Sequence, residues 1–164
     1  MLSKIVFGCL FLSTIAYGQD FQEDQTALDV GIGVFRSADK GLSETKMLSI
    51  GKQETLLGPL KSRYSAGFWL DNTRDGRKSS GFVGAQLGFE VANNGWVGGI
   101  FSGPTVISTP DVLLGGRFQF MDTINYGLQD KSGNYIGLFY RHFSSAGLEM
   151  PNTGRDILGI EIRF

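Results

Sequence analysis

From Leu28 onward, apolar side chains recur at every second position, in runs separated by glycine or polar breaks. That is the period of a β-strand, in which successive side chains point to opposite faces. In the first run Leu28, Val30, Ile32 and Val34 share one face and Asp29, Gly31 and Gly33 the other. A second, weaker run from Lys46 to Lys52 sets Leu48 and Ile50 together. In the third, Tyr64, Ala66, Phe68 and Leu70 oppose Arg63, Ser65, Gly67, Trp69 and Asp71. The fourth sets Val83, Ala85, Leu87, Phe89 and Val91 against Gly84, Gln86, Gly88 and Glu90. A fifth run, about Gly95 to Gly103, alternates poorly. The sixth places Phe118, Phe120, Ile124, Tyr126 and Leu128 opposite Gln119, Asn125 and Gln129, with Asp122 a charged interruption of the apolar side. In the seventh, Ile136, Leu138, Tyr140, His142 and Ser144 oppose Gly137, Phe139, Arg141 and Phe143. The eighth has Asp156, Leu158, Ile160, Ile162 and Phe164 opposite Ile157, Gly159, Glu161 and Arg163.

Eight such strands define an all-β domain, and two architectures satisfy the pattern. A soluble sandwich buries the apolar faces, whereas a membrane barrel turns them to lipid and encloses the small and charged ones. Alternation does not separate the two. An N-terminal leader, a mature chain without cysteine and a last strand ending on the aromatic Phe164 favour the membrane, so the expected fold is an eight-stranded antiparallel transmembrane β-barrel. A barrel of this size is just filled by side chains and conducts nothing. Arg63, Asp71, Glu90, Arg141, Glu161 and Arg163 are then lumen residues, expected to pair because unpaired buried charge is costly.

The leader is read from Lys4, the apolar run Ile5 to Ala16 and the small residues of Ala16-Tyr17-Gly18. It has the form of a secretory signal peptide over residues 1–18, too short for a transmembrane helix, followed by a mature domain over 19–164. The only cysteine, Cys9, leaves with it, which excludes disulfides, cysteine nucleophiles and thiolate metal sites from the mature protein. A net charge of −1 without a basic stripe speaks against nucleic acid as a partner. With 24 glycines in 164 residues and no collagen period, the composition fits closely packed strands.

Candidate chemistry lies on the seventh and eighth strands. The sole histidine, His142, precedes Ser144 by two residues, so imidazole and hydroxyl share a strand face. Histidine is the natural base for a serine hydroxyl near neutral pH. Alone, His-x-Ser is a weak signal that an interfacial histidine also produces. The hairpin strengthens it, because Ser144 ends one strand and Asp156 begins the next in the same outward phase. An acid facing the imidazole fixes its tautomer and stabilises the imidazolium. In the connecting loop, Asn152 could brace the site and Gly147 could offer a backbone N–H to an oxyanion, although both are ordinary turn residues. If both termini are periplasmic, this hairpin tip lies outside, facing the leaflet that holds lipopolysaccharide.

From about Leu114 to the end, the chain resembles the lipid A deacylase family of outer-membrane barrels (PagL-type, acyloxyacyl hydrolase-like). The resemblance is carried by Arg117-Phe118-Gln119-Phe120, by Asp130-Lys131-Ser132-Gly133, and above all by Tyr140-Arg141-His142-Phe143-Ser144-Ser145-Ala146-Gly147-Leu148 leading to Pro151-Asn152-Thr153-Gly154. It implies hydrolysis of the ester-linked acyl chain at the 3 position of lipid A, with Ser144 as nucleophile, His142 as base, Asp156 as acid, Asn152 as support and Gly147 as oxyanion donor. The chain departs from the family pattern in having Asp156 where Glu is frequent. It also has Ser145 where an Asn after the nucleophile serves the oxyanion hole, so Ser145 is expected to donate there with its hydroxyl.

The reading is therefore a serine esterase of the cell outer membrane, needing no metal or organic cofactor. Its partners are lipid A and the surrounding membrane lipids, and a homodimer is compatible with the sequence. The competing classes are a non-catalytic structural or adhesive barrel working through its loops, and a soluble lipocalin-like binder.

Overall fold

The computed structural model describes residues 24–34, 45–71 and 76–164. The signal peptide expected over residues 1–18, with Cys9, and the first residues of the mature domain lie outside the described residues. Eight strands run in chain order around one closed sheet: β1 (Asp24–Val34), β2 (Lys46–Leu57), β3 (Leu60–Leu70), β4 (Ser80–Asn93), β5 (Trp96–Ile107), β6 (Phe118–Gln129), β7 (Tyr135–Ser144) and β8 (Arg155–Arg163). Each pairs antiparallel with the next, and β8 closes on β1 with Val30 opposite Ile160.

The alternation in the sequence becomes the two sides of this wall. Leu28, Ile50, Phe68, Leu87, Ile100, Ile124, Leu138 and Ile160 all stand exposed on the outside. The inside is ionic at one level and apolar at another. Arg63 donates to both oxygens of Glu161 at 2.9 Å, and Arg163 bridges Glu161 (2.9 Å) to Glu90 (2.8 Å). Above them Arg141 reaches Asp29 at 2.9 Å and the hydroxyls of Ser49 and Thr123 at 3.1 Å. Aromatic faces complete the shells, with Phe101 4.3 Å from the Arg63 guanidinium and Tyr135 3.8 Å from that of Arg163. Toward the rim of long connections the filling turns apolar, around Trp69, Phe82 and Phe143, whose ring centroids lie 5.2–5.7 Å apart. The lumen charges expected from the sequence are thus enclosed and paired. A soluble sandwich with the same faces would put these ions in water, so that alternative falls, and the chain is a transmembrane β-barrel.

The fifth strand is longer than the expected Gly95 to Gly103, running to Ile107. Its alternation is obscured because apolar residues occupy both faces: Ile100 and Val106 outside, Val97, Phe101 and Ile107 inside. Pro104 sits within it because the β4–β5 ladder skips from Gly84–Thr105 to Leu87–Ser102, leaving no bond for the missing N–H to break. The second strand likewise continues past Lys52 to Leu57, where a register shift precedes the Gly58-Pro59 turn. At the same rim Asn94 and Gly95, at φ +52° and +82°, form the two-residue turn that such a pair favours. Asp130, in the β6–β7 connection, accepts from the Asn134 side chain and the backbone of Ser132, which holds its carboxyl below the usual range. The opposite rim carries the long connections, including 108–117 and 145–154.

Glu161 is the hub of the lower ion cluster, so removing it leaves the buried Arg63 guanidinium without its carboxylate and Arg163 with Glu90 alone. Glu161→Ala is expected to destabilise the barrel by about 3–5 kcal/mol, read as a lowered unfolding midpoint in detergent. An unchanged midpoint would show that the cluster is not a determinant of stability.

Candidate active site

Two sequence candidates, His142 and Asp156, meet on the outer wall at the long-loop rim, and Ser144 stands on the same face of β7. β7 and β8 pair so that His142 lies directly opposite Asp156, and the imidazole Nδ1 stands 2.7 Å from Asp156 Oδ1. An ionised carboxylate only accepts, so Nδ1 carries the proton and Nε2 is left as the basic nitrogen. Asp156 belongs to the outward phase of Leu158 and Ile160 yet is only 7% exposed. A second group helps to hold it: the Tyr140 hydroxyl donates to the same oxygen. Tyr140 was not among the sequence candidates, although its place two residues before His142 puts it on the same face.

Ser144 is half-buried at the end of β7, opposite Phe120. It lies two residues from His142, a Cα separation of about 7 Å along a strand, on the same side of the wall. Asp122, the interruption in the sixth run, proves to be the cross-strand neighbour of His142 on β6. It accepts from Ser102 Oγ at 2.6 Å. A carboxylate on a lipid-facing wall is expensive, and here it extends the polar patch around the imidazole to a third strand.

The loop after Ser144 turns sharply. Ala146 and Gly147 both have positive φ, +52° and +84°, and Leu148 N–H closes the turn on Ser145 O at 3.0 Å. Such geometry is strained for alanine and free for glycine. Asn152 accepts the Ser145 N–H at 2.8 Å within the loop. The expectation for Ser145 itself needs correcting. Its hydroxyl donates to Glu149 O at 2.8 Å, its N–H is taken by Asn152, and the residue is fully buried. Both donors are committed inside the loop, because the tight turn folds Glu149 back over the residue. Gly147 lies exposed at the turn. Gly154 closes the far end of the loop against the histidine. At φ +79°, a Cβ there would stand 2.5 Å from His142 Cε1 and 3.2 Å from Nε2.

A closed eight-stranded barrel with a histidine–carboxylate pair and a serine on its lipid-facing wall defines a class of outer-membrane barrel with polar groups set into its outer face. Residues 49–164 match the family described as lipid A 3-O-deacylase (PagL), and the chain belongs to that family. It is 36% identical over 113 residues to the lipid A deacylase PagL of Bordetella bronchiseptica, over 64% of this chain and 61% of that protein. The match therefore spans less than two thirds of that relative's length. In structure the chain is similar to the crystal structure of the outer membrane enzyme PagL, with a TM-score of 0.58 at 19% identity, over 85% of this chain and 98% of that one. A de novo designed transmembrane β-barrel fits nearly as well, with a TM-score of 0.57 at 11% identity, over 90% of this chain and 100% of the design. The structural likeness accordingly shows the fold, and the sequence match shows the family.

Because His142 is the sole histidine, 15N-histidine NMR of the detergent-solubilised protein reports a single ring. Its Nδ1 is expected to be protonated and hydrogen-bonded, and Asp156→Ala should remove that signature. Gly154→Ala should displace the ring and shift both nitrogens with the barrel intact. An Nε2–H tautomer in the wild type would refute the arrangement.

Proposed function

We propose that the protein is a lipid A 3-O-deacylase, a serine hydrolase that releases the ester-linked hydroxyacyl chain at the 3 position of lipid A. The observation that carries this reading is the 2.7 Å His142–Asp156 pair with Ser144 beside it on a wall otherwise given to lipid, in a chain of the lipid A 3-O-deacylase family. Ester bonds of lipid A lie at the boundary between sugar and hydrocarbon. The site occupies the corresponding level, where the apolar wall gives way to the polar rim.

In the mechanism, His142 Nε2 takes the proton from Ser144 Oγ as the oxygen bonds to the acyl carbonyl carbon. Asp156 holds the ring and stabilises the imidazolium, as an acid in this position does in other serine hydrolases. The developing oxyanion is served by the Gly147 N–H on the 146–147 turn. Ser145 acts indirectly, fastening that turn through Glu149 and Asn152. Collapse expels the sugar hydroxyl with the proton from His142. Water, activated by the same imidazole, then hydrolyses the acyl-serine and frees the hydroxy fatty acid. No metal or organic cofactor is called for by these steps, and all the groups come from one chain, so the mechanism asks for no homodimer. The leader supports export by a cleaved signal peptide, and the rim of long connections supports a site facing the outer leaflet. A purely structural barrel would have no use for a buried carboxylate fastened to the only histidine on its lipid face.

The test is mass spectrometry of lipid A incubated with the refolded protein in detergent. Loss of one hydroxyacyl chain is expected with the wild type and none with Ser144→Ala, while Asp156→Asn is expected to lower kcat by about 10⁴-fold. Deacylation that persists in Ser144→Ala would remove serine from the mechanism. An unchanged spectrum with folded wild type would refute lipid A as the substrate.

A further inference from the structure

We propose that Asp111, in the β5–β6 connection, is a positioning residue for this site: anchored by Arg155, it fixes the segment that clamps both functional ends of the 145–154 loop. The proposal rests on the assignment of His142 and Ser144 as the reacting pair.

Arg155 is the neighbour of Asp156 in the chain but points the other way, into the barrel mouth, where it is 2% exposed and lies 4.9 Å from the Trp69 ring. Its guanidinium spans Asp71 at 2.5 Å and Asp111 at 2.6 Å. The two oxygens of Asp111 have different tasks. Oδ2 receives Arg155 and the Lys78 N–H at 3.0 Å. Oδ1 accepts the N–H groups of Leu113 and Leu114 at 2.9 and 3.1 Å, while Asp111 N–H donates to Leu114 O at 3.0 Å. These bonds roll 111–114 into a tight turn and seat Leu114, fully buried, in the apolar filling.

The turned segment then meets the active-site loop backbone to backbone. Gly115 N–H donates to Pro151 O at 2.7 Å, Leu114 bridges Asn152, and Leu113 O accepts Thr153 N–H at 3.2 Å and Gly154 N–H at 3.4 Å. The contact leaves no slack: a Cβ on Gly115 would stand 2.3 Å from the Met150 carbonyl. Asn152 holds the residue after Ser144, and Gly154 abuts the His142 ring. A shift of the clamp is therefore felt at the nucleophile's turn and at the base together. Misplacement of reacting groups by about 1 Å can cost about a hundredfold in rate.

Asp111→Asn isolates the anchor. The amide oxygen still accepts from Leu113 and Leu114, but an amino group now faces two donors, Arg155 and the Lys78 N–H. The full-length protein in detergent is examined by thermal unfolding, by kcat and KM on lipid A, and by the rate at which a short-chain alkyl p-nitrophenyl phosphonate labels Ser144. With the barrel folded, kcat is expected to fall about 10- to 100-fold with KM within about threefold, and labelling should slow in proportion. Asp111→Glu, which keeps the charge, should recover part of the rate. Gly115→Ala strains the same clamp with the ion pair intact and should reproduce the kcat loss, which keeps the test decisive if Asp111→Asn does not assemble. Normal kcat and labelling in folded Asp111→Asn or Gly115→Ala, with or without a lowered unfolding midpoint, would overturn the proposal alone. Failure of the phosphonate to label Ser144 in the wild type would overturn the nucleophile assignment, and this proposal with it.

Discussion

Lipid offers no hydrogen bonds, so the strands of this chain must satisfy one another completely, and they do so only when β1 returns to pair with β8. Closure in turn creates an interior too narrow for bulk water and too polar to be left unpaired. The Arg63–Glu161–Arg163–Glu90 cluster and the Arg141–Asp29 pair fill it. These ions come from five strands, each charge answered by an opposite one. A closed, internally neutral barrel is then free to present an apolar exterior.

That exterior is the surface into which the polar patch is set. A strand's period of two separates inner and outer tasks at neighbouring residues, and the start of β8 shows it most directly. Arg155 turns inward and gathers the connections at the mouth, while Asp156 turns outward and holds the imidazole. One step along the backbone thus links loop anchoring to the carboxylate that holds His142. The same register places Asp122 and Asp156 on either side of His142, from β6 and β8. The polar patch is therefore a product of three adjacent strands in register, although its residues are spread over more than thirty positions of the chain.

The 145–154 loop shows how a position expected to supply one function comes to supply another. An oxyanion donor at Ser145 would need a free N–H or hydroxyl, and the turn through Ala146 and Gly147 uses both for its own cohesion. The loop is bonded to itself because polar backbone groups at a barrel mouth must find partners, and short-range bonds inside the loop are the nearest available. The patch is built accordingly, with the histidine, serine and carboxylates on the strands and the backbone geometry supplied by the loop.

Much of this was legible in the chain itself. Alternation alone separated the two faces of seven strands, since a period of two leaves little freedom once the faces differ in polarity. It also brought His142, Ser144 and Asp156 to one face, because i, i+2 spacing and an antiparallel hairpin are local relations. The fifth strand was indistinct because its inward Phe101 packs beneath a guanidinium, a contact between distant strands that leaves no periodic trace. Asp122 read as a defect until the β6–β7 register set it beside His142. Tyr140, the commitments of Ser145 and the clamp from Asp111 to Asn152 depend on loop conformations and on contacts up to about forty residues apart. The sequence determined which side of the wall each residue occupies, because local stereochemistry dictates it. Tertiary structure decided which side chains meet across that wall and at its mouth, because those distances exist only after the sheet has closed.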